Sequence, residues 1–221
     1  MFAVKEIFYT LQGEGANVGR AAVFCRFTGC NLWSGLEKDR AGAICDFCDT
    51  DFVGTDGDGG GRFADEVALA DEIACVWTAR SASGADSRSE SATIQKLVVC
   101  TGGEPLLQMT AELVDELHRR SFEVAIETNG TKLPPPSIDW ICVSPKANAE
   151  LVLRAGNELK LIFPQPGAEP ERYEHLDFTH FFLQPMDGPD REGNTRLAVR
   201  YCLEHPRWRL SLQTQKVLGI K

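Results

Sequence analysis

Apolar positions along the chain follow two rhythms. Near-continuous apolar runs of strand length recur near residues 2–9, 21–28, 95–100, 123–127, 139–144, 158–163, 180–184 and 209–213, as expected of strands buried on both faces of a parallel sheet. Between some of them the spacing becomes helical. Residues 65–79 carry Val67, Ala70, Ile73, Ala74 and Trp77 on one predicted face. Thr110 is placed to cap a helix running through Arg120, and Asn194 one running through Glu204. Strands alternating with helices build parallel βαβ units. Other connections, such as LPPPSID (133–139) and the stretch around Ala149, are too short for a full helix. The pattern therefore predicts an α/β fold: an incomplete, TIM-like β/α barrel of mostly parallel strands with reduced helix content, with residues 1–221 as one domain.

Two stretches carry no such rhythm. GTDGDGGGRF (54–63) and SASGADSRSES (81–91) are rich in Gly, Ser and Asp and read as flexible surface loops. No internal repeat is visible.

Length and composition narrow the class. A chain of 221 residues suits one domain, burying roughly 70–75% of the unfolded surface. No apolar stretch approaches the roughly 20 residues of a membrane span, and the start MFAVKEIFYT has no signal-peptide pattern. A net charge of −9 argues against nucleic-acid binding, which calls for a basic face. The expectation is a cytoplasmic protein that binds neither membrane nor nucleic acid.

Cysteine placement adds chemistry. In a reducing compartment the eight cysteines are free thiols or ligands, not disulfides. Cys100 and Cys142 lie in strand-like runs, Cys75 and Cys202 in helical-looking segments, and all four read as small buried hydrophobes. Cys30, Cys45 and Cys48 instead cluster as C-x14-C-x2-C in a loop-like region. Three thiolates can hold a [4Fe–4S] cluster and leave one iron without a protein ligand. Such an iron can bind the amino and carboxylate groups of S-adenosylmethionine (SAM). The rival is a structural zinc site, since adding Cys25 gives C-x4-C-x14-C-x2-C. Against it, Cys25 lies inside the alternating run AAVFCRF and should share a face with Val23 and Phe27, away from Phe24 and Arg26.

A glycine run supplies the other half. Thr101-Gly102-Gly103-Glu104-Pro105 follows KLVVC directly; its glycines admit close backbone approach and Pro105 stops the strand. Exposed amides there could bind a carboxylate, and Glu104 could accept from an ammonium group. Glu127 to Gly130, Ser144-Pro145-Lys146 and Gln184 to Asp187 likewise follow strands, where barrel folds place their sites. Arg26, late in the second strand, suits an acidic substrate because its guanidinium pairs bidentately with carboxylates. Phe47 can pack over a cluster or an adenine. Thr50 offers a hard oxygen of the kind Mg²⁺ takes.

Taken together, LQGEG (11–15), CRFTGCNLW (25–33), CDFCDT (45–50), TGGEP (101–105), ETNG (127–130), SPK (144–146), LQPMDG (183–188) and QTQK (213–216) resemble the radical SAM superfamily. Within it they resemble most closely the 7-carboxy-7-deazaguanine synthases of the queuosine and 7-deazapurine pathway. Two departures stand out. The first cysteine spacer has 14 residues, an insertion of about eleven over the common radical SAM triad of the superfamily's usual spacing. Gln215 stands where the family usually has His.

The resemblance implies that Cys30, Cys45 and Cys48 ligate a [4Fe–4S] cluster and that Thr50 ligates Mg²⁺. Phe47, Asp49, Gly103, Glu104, Ser144, Pro145, Lys146, Gln184, Pro185, Met186 and Asp187 would contact SAM. Leu11, Gln12, Gly13, Glu14, Arg26, Thr101 and Lys221 would hold the substrate, 6-carboxy-5,6,7,8-tetrahydropterin. It further implies reductive cleavage of SAM to a 5′-deoxyadenosyl radical, removal of the C6 hydrogen, ring contraction to 7-carboxy-7-deazaguanine and loss of ammonia, with SAM regenerated. A flavodoxin or ferredoxin as reductant and a homodimeric state are implied as well. A radical SAM activating enzyme acting on a protein is an alternative reading, as is the non-enzymatic zinc module.

Overall fold

A computed structural model describes residues 1–81 and 95–221. Nine strands form one sheet: β1 (Phe2–Leu11), β2 (Ala21–Phe27), β3 (Gly61–Phe63), β4 (Lys96–Gly102), β5 (Phe122–Thr128), β6 (Trp140–Val143), β7 (Ala155–Phe163), β8 (Asp177–Pro185) and β9 (Trp208–Leu210). Their order is β3-β1-β2-β4-β5-β6-β7-β8-β9. From β2 to β9 every neighbouring pair is parallel. The barrel is incomplete and mostly parallel, as the pattern predicts.

The antiparallel edge is the exception. β1 runs antiparallel to both β2 and β3, and β3 comes out of the segment expected to be wholly loop. The glycines there have a packing reason. Gly57 donates to Lys5 O (2.9 Å) and Asp58 O accepts from Ile7 N (2.8 Å). A Cβ on Gly60 would lie 2.1 Å from Lys5 O, so only glycine lets this backbone press against β1. Of the second expected loop, Ser81 ends a helix and the rest, 82–91, lies outside the described residues.

The helices sit on the convex side. α1 (Glu66–Ser81) buries Leu69, Ala70, Ile73 and Trp77, whereas Val67 is 46% exposed. The helical spacing was right and the face was turned, with Leu69 taking the place expected for Val67. Trp77 meets Tyr9 and Phe122 edge-on. α2 (Ala111–Arg119) is capped as expected, Thr110 Oγ1 accepting from Leu113 N at 3.2 Å. α3 (Arg191–Glu204) starts earlier than expected, with Asp190 at its N-cap. Asn194 lies one turn inside because its amide is committed elsewhere, donating to Met186 O at 3.0 Å. β9 also stops early: Ser211 leaves the strand to donate to Gln184 Oε1 (3.2 Å) and accept from Gly15 N (3.0 Å). A short helix, α4 (Thr214–Leu218), follows; the sequence pattern gave no sign of it.

Two apolar layers fill the convex side, one under α1 and α2 around Val98, Leu113 and Ile126, the other under α3 around Leu159, Leu183 and Trp208. Cys25 and Cys100 belong to the first layer, with Val23 and Phe27; Cys142 is buried, Cys202 half-buried, and Cys75 exposed, contrary to its expected burial. On the concave face Ala22, Leu97, Val99 and Ala125 form a small inner core. Further along β4 and β5 that face turns polar, at Thr101 and Glu127, as it does at Gln184 on β8, all lining a cleft. None of the described helices is long and apolar enough to cross a membrane.

Candidate functional site

The loops and late strand residues of the parallel sheet enclose a cleft of roughly 470 Å³. Because β1 is antiparallel, the loop after it does not join the other strand ends by extension. It crosses the concave face: Ala16 N donates to Glu158 Oε2 (2.8 Å) and Gln12 Nε2 to Glu127 Oε1 (3.2 Å). Gly15, at φ +67°, has no room for a Cβ beside the Glu158 carboxylate.

One end of the cleft is built by the cysteine loop. Cys30, Cys45 and Cys48 all line it. Cys25, in the convex core, does not, which removes the fourth ligand of a zinc site. Cys30 Sγ accepts from Leu32 N at 3.4 Å. Cys45 and Cys48 form a hydrogen-bonded pair. Donation to Cys48, together with burial, raises the Cys45 thiol. The same bond pulls Cys48 down to about 6, against burial and aided by Thr50 N–H. The Lys146 ammonium lowers both thiols, and its own pKa is depressed by burial. Lys146 is fixed by Ser144, donating to its carbonyl (2.6 Å) and hydroxyl (2.7 Å).

This donor set fits a cluster. Among the described residues no three His, Cys, Asp or Glu side chains converge on a single-ion site, but the thiolates of a three-cysteine cluster site each bind a different iron and need not converge. Trp33 Nε1, on the cleft wall, is buried without a partner among the described residues, a donor suited to cluster sulfur. The stretch between Cys30 and Cys45 is a clasp for the loop. It contains a 3₁₀ turn, Glu37–Gly42, from which Arg40 Nη1 donates to the carbonyls of Asp46 (2.8 Å) and Cys48 (3.1 Å).

The glycine turn differs from expectation. Gly103 N donates to Phe27 O (3.3 Å) and Glu104 N to Gly29 O (2.8 Å), so those amides are not open to a ligand. A Cβ on Gly103 would stand 2.0 Å from Gly29 O; glycine is there to let the turn dock against the cysteine loop. Glu104 is fully buried and does not line the cleft. Its carboxylate accepts from Thr128 Oγ1 (2.8 Å), Asn129 N (2.8 Å) and Leu106 N (2.9 Å), pinning one strand end to the next. Burial pushes its pKa up against those bonds. Pro145 is also absent from the cleft wall; Phe47, Asp49, Gly103, Ser144, Lys146 and Gln184 to Asp187 are all on it.

The other end carries Leu11, Gln12, Gly13, Glu14, Arg26, Thr101 and Lys221, again all on the wall. Arg26 Nε donates to Glu6 Oε1 at 2.9 Å, and among the described residues neither Nη group makes a hydrogen bond. Lys221 Nζ meets Glu6 (3.1 Å) and Asp58 (2.9 Å); it and Arg26 flank the Phe8 ring. Thr50, also on the wall, lends a hydroxyl with no hydrogen bond among the described residues.

Sequence reasoning missed the centre of the cleft. Lys160, 4% exposed, bridges Glu14 Oε2 (2.5 Å) and Glu127 Oε1 (3.3 Å). Burial would lower its pKa, but Glu127 and Glu14 hold it well above its usual value. Burial would raise Glu14; Lys160 brings it down to about 2. A signal existed: in ELKLIF, Glu158 and Lys160 alternate with Leu159 and Leu161, the mark of a central strand with one polar face. The α4 segment was missed as well. Lys216 Nζ bridges Asp49 (2.5 Å) and Asp187 (2.6 Å), and Gln215 Nε2 donates to Glu14 Oε1 (3.0 Å).

No family model matches the chain. It is 62% identical over 219 residues to the 7-carboxy-7-deazaguanine synthase of Bordetella pertussis, 99% of each chain being covered. It is 60% identical to the synthase of the same name from Caulobacter vibrioides, again over 99% of each, and 38% identical over the full length of both to that of Bacteroides thetaiotaomicron. Among solved structures it resembles QueE from Escherichia coli, with a TM-score of 0.62 and 26% identity over 96% of this chain and 94% of that one.

Proposed function

The chain belongs to the 7-carboxy-7-deazaguanine synthase family, and from that membership we propose how its cleft carries out the reaction. It is a radical SAM lyase that converts 6-carboxy-5,6,7,8-tetrahydropterin to 7-carboxy-7-deazaguanine with loss of ammonia, in queuosine and 7-deazapurine biosynthesis. The observation that carries the assignment of roles is that three thiols, Cys30, Cys45 and Cys48, and two cations, Arg26 and Lys221, line the same cleft.

Cys30, Cys45 and Cys48 would hold the [4Fe–4S] cluster. When bound, the cluster and SAM supply the hydrogen-abstracting radical with which the reaction begins. The depressed pKa of Cys48 and the cation of Lys146 favour the thiolate form that ligation needs. Lys146, Ser144, Asp49, Phe47 and the segment Gln184 to Asp187 would hold SAM. With its amide engaged, Gly103 offers a carbonyl, suited to the ammonium of SAM. Glu104 acts behind that surface, as the support that fixes the turn to Thr128 and Asn129.

Arg26 would orient the substrate carboxylate through its two Nη groups, with Lys221 beside it. Thr101 and Gln12 would hold the ring, with Leu11, Gly13 and Glu14 forming the wall behind. Thr50 would give Mg²⁺ a hydroxyl ligand, a hard oxygen of the kind that ion takes. A flavodoxin or ferredoxin as electron donor, a homodimer and a cytoplasmic location complete the proposal, with residues 1–221 acting as one domain.

The test is anaerobic reconstitution followed by EPR of the reduced protein with and without SAM. A [4Fe–4S]⁺ signal that shifts on adding SAM is expected. A colourless, EPR-silent, zinc-loaded protein would overturn the assignment of the cysteines.

A further inference from the structure

The Lys160 centre has binding capacity that the protein itself does not use. An ammonium has three N–H donors. Glu14 Oε2 and Glu127 Oε1 take two of them, and among the described residues the third has no acceptor. The side chain is 5% exposed and stands on the cleft wall, so that donor can be met only by something in the cleft. Glu127 is the complement. A carboxylate has about four acceptor sites; Gln12 Nε2 (3.2 Å) and Lys160 (3.3 Å) occupy Oε1, and Thr101 Oγ1 (3.1 Å) occupies one site of Oε2. One acceptor remains. An uncommitted donor and an uncommitted acceptor thus stand side by side on a buried ion pair.

The ligand edge that fits such a pair is a ring carbonyl next to a ring N–H. A pterin carries this lactam edge at its 4-oxo group and N3. We propose that Lys160 is a specificity-determining residue, donating to the 4-oxo oxygen while Glu127 accepts from N3–H. The proposal rests on the pterin-carboxylate reading above, in which Arg26 takes the carboxylate and the ring lies against Thr101 and Gln12, both of which donate to Glu127. A 2,4-diamino ring reverses the pattern. It sets an amino group against the ammonium and a bare ring nitrogen against the carboxylate, so both partners go unsatisfied. Sites that bond a polar group in this way reject its mismatched analogue far better than apolar pockets do.

Anaerobic calorimetry on the reconstituted, SAM-bound enzyme tests this with two probes: 6-carboxypterin and 2,4-diaminopteridine-6-carboxylate. Wild type should bind the oxo compound at least about 10-fold more tightly, the least expected for loss of a charge-assisted hydrogen bond. Lys160→Met should weaken 6-carboxypterin by about that factor and bring the two affinities to within roughly 3-fold. A merely structural role would weaken both ligands alike and leave their ratio unchanged, which overturns the proposal. So does a wild type that binds both equally, and that arm needs no variant to fold. If wild type binds neither compound, the pterin-carboxylate reading itself fails, a result distinct from loss of discrimination alone.

Discussion

Replacing Arg40 with Met should loosen the cysteine loop while leaving the sheet intact. Its guanidinium lies 4.2 Å from the centre of the Trp33 ring and donates to the carbonyls of Asp46 and Cys48. The pair with Glu37 is a surface i,i+3 contact, Glu37 being 79% exposed, and deserves no weight. Two hydrogen bonds from a part-exposed cation contribute about 1 kcal/mol each, and the ring contact about 0.5–1 kcal/mol. The total is about 2–3 kcal/mol. These contacts join loop to loop and touch neither apolar layer, so the loss falls on local opening of residues 45–50. At about 1.4 kcal/mol per tenfold, the open form becomes roughly 30–150 times more populated. Iron release from the reconstituted protein to excess chelator, followed without oxygen, should accelerate by that factor. Amide exchange at residues 45–50 should rise with it. Release within twofold of wild type and unchanged exchange would refute the claim that this inserted stretch is a clasp.

Leu69→Ala should destabilise the protein by about 2–5 kcal/mol and Val67→Ala by less than about 0.5 kcal/mol; equal effects in urea titrations would show that α1 buries the other face. Glu14 titrates near 4.5 when unfolded and about 2 when folded. A depressed acid pKa stabilises above the unfolded value and loses that contribution as pH falls through the folded one. Roughly 3 kcal/mol should therefore disappear between pH 4.5 and 2, and Glu14→Gln should flatten that part of the profile; a parallel profile would count against the Lys160 pairing. Cys25→Ala should retain full cluster iron on reconstitution, whereas Cys45→Ala should lose it. Iron lost equally from both would put Cys25 back among the ligands.

The barrel was legible because its strands are buried on both faces and announce themselves as apolar runs. The same logic hid β3: Gly57, Gly59 and Gly60, just before it, press their backbone against β1, and glycines that permit such approach look like loop. The turned face of α1 came from reading Val67 as core when Leu69 completes the stripe with Ala70, Ile73 and Trp77. At the site, cysteines, glycines and strand-end polar residues were readable because their types and spacings are unusual. The setting of Glu104 was hidden for a different reason: nothing in TGGEP reveals that Thr128, Asn129 and Leu106 donate to its carboxylate. Lys160 escaped notice because its partners, Glu14 and Glu127, lie on distant segments. Each segment has its own local signal, but no local pattern joins the three.

The central claim is that one cleft joins a three-thiolate cluster site to a pterin-carboxylate site. Its most direct test is anaerobic turnover of 6-carboxy-5,6,7,8-tetrahydropterin by the reconstituted, reduced, SAM-loaded enzyme, read by mass spectrometry. The account predicts 7-carboxy-7-deazaguanine and ammonia in equal amounts, with product abolished in Cys48→Ala. Unchanged substrate from a wild type that carries its full iron and binds SAM would contradict it.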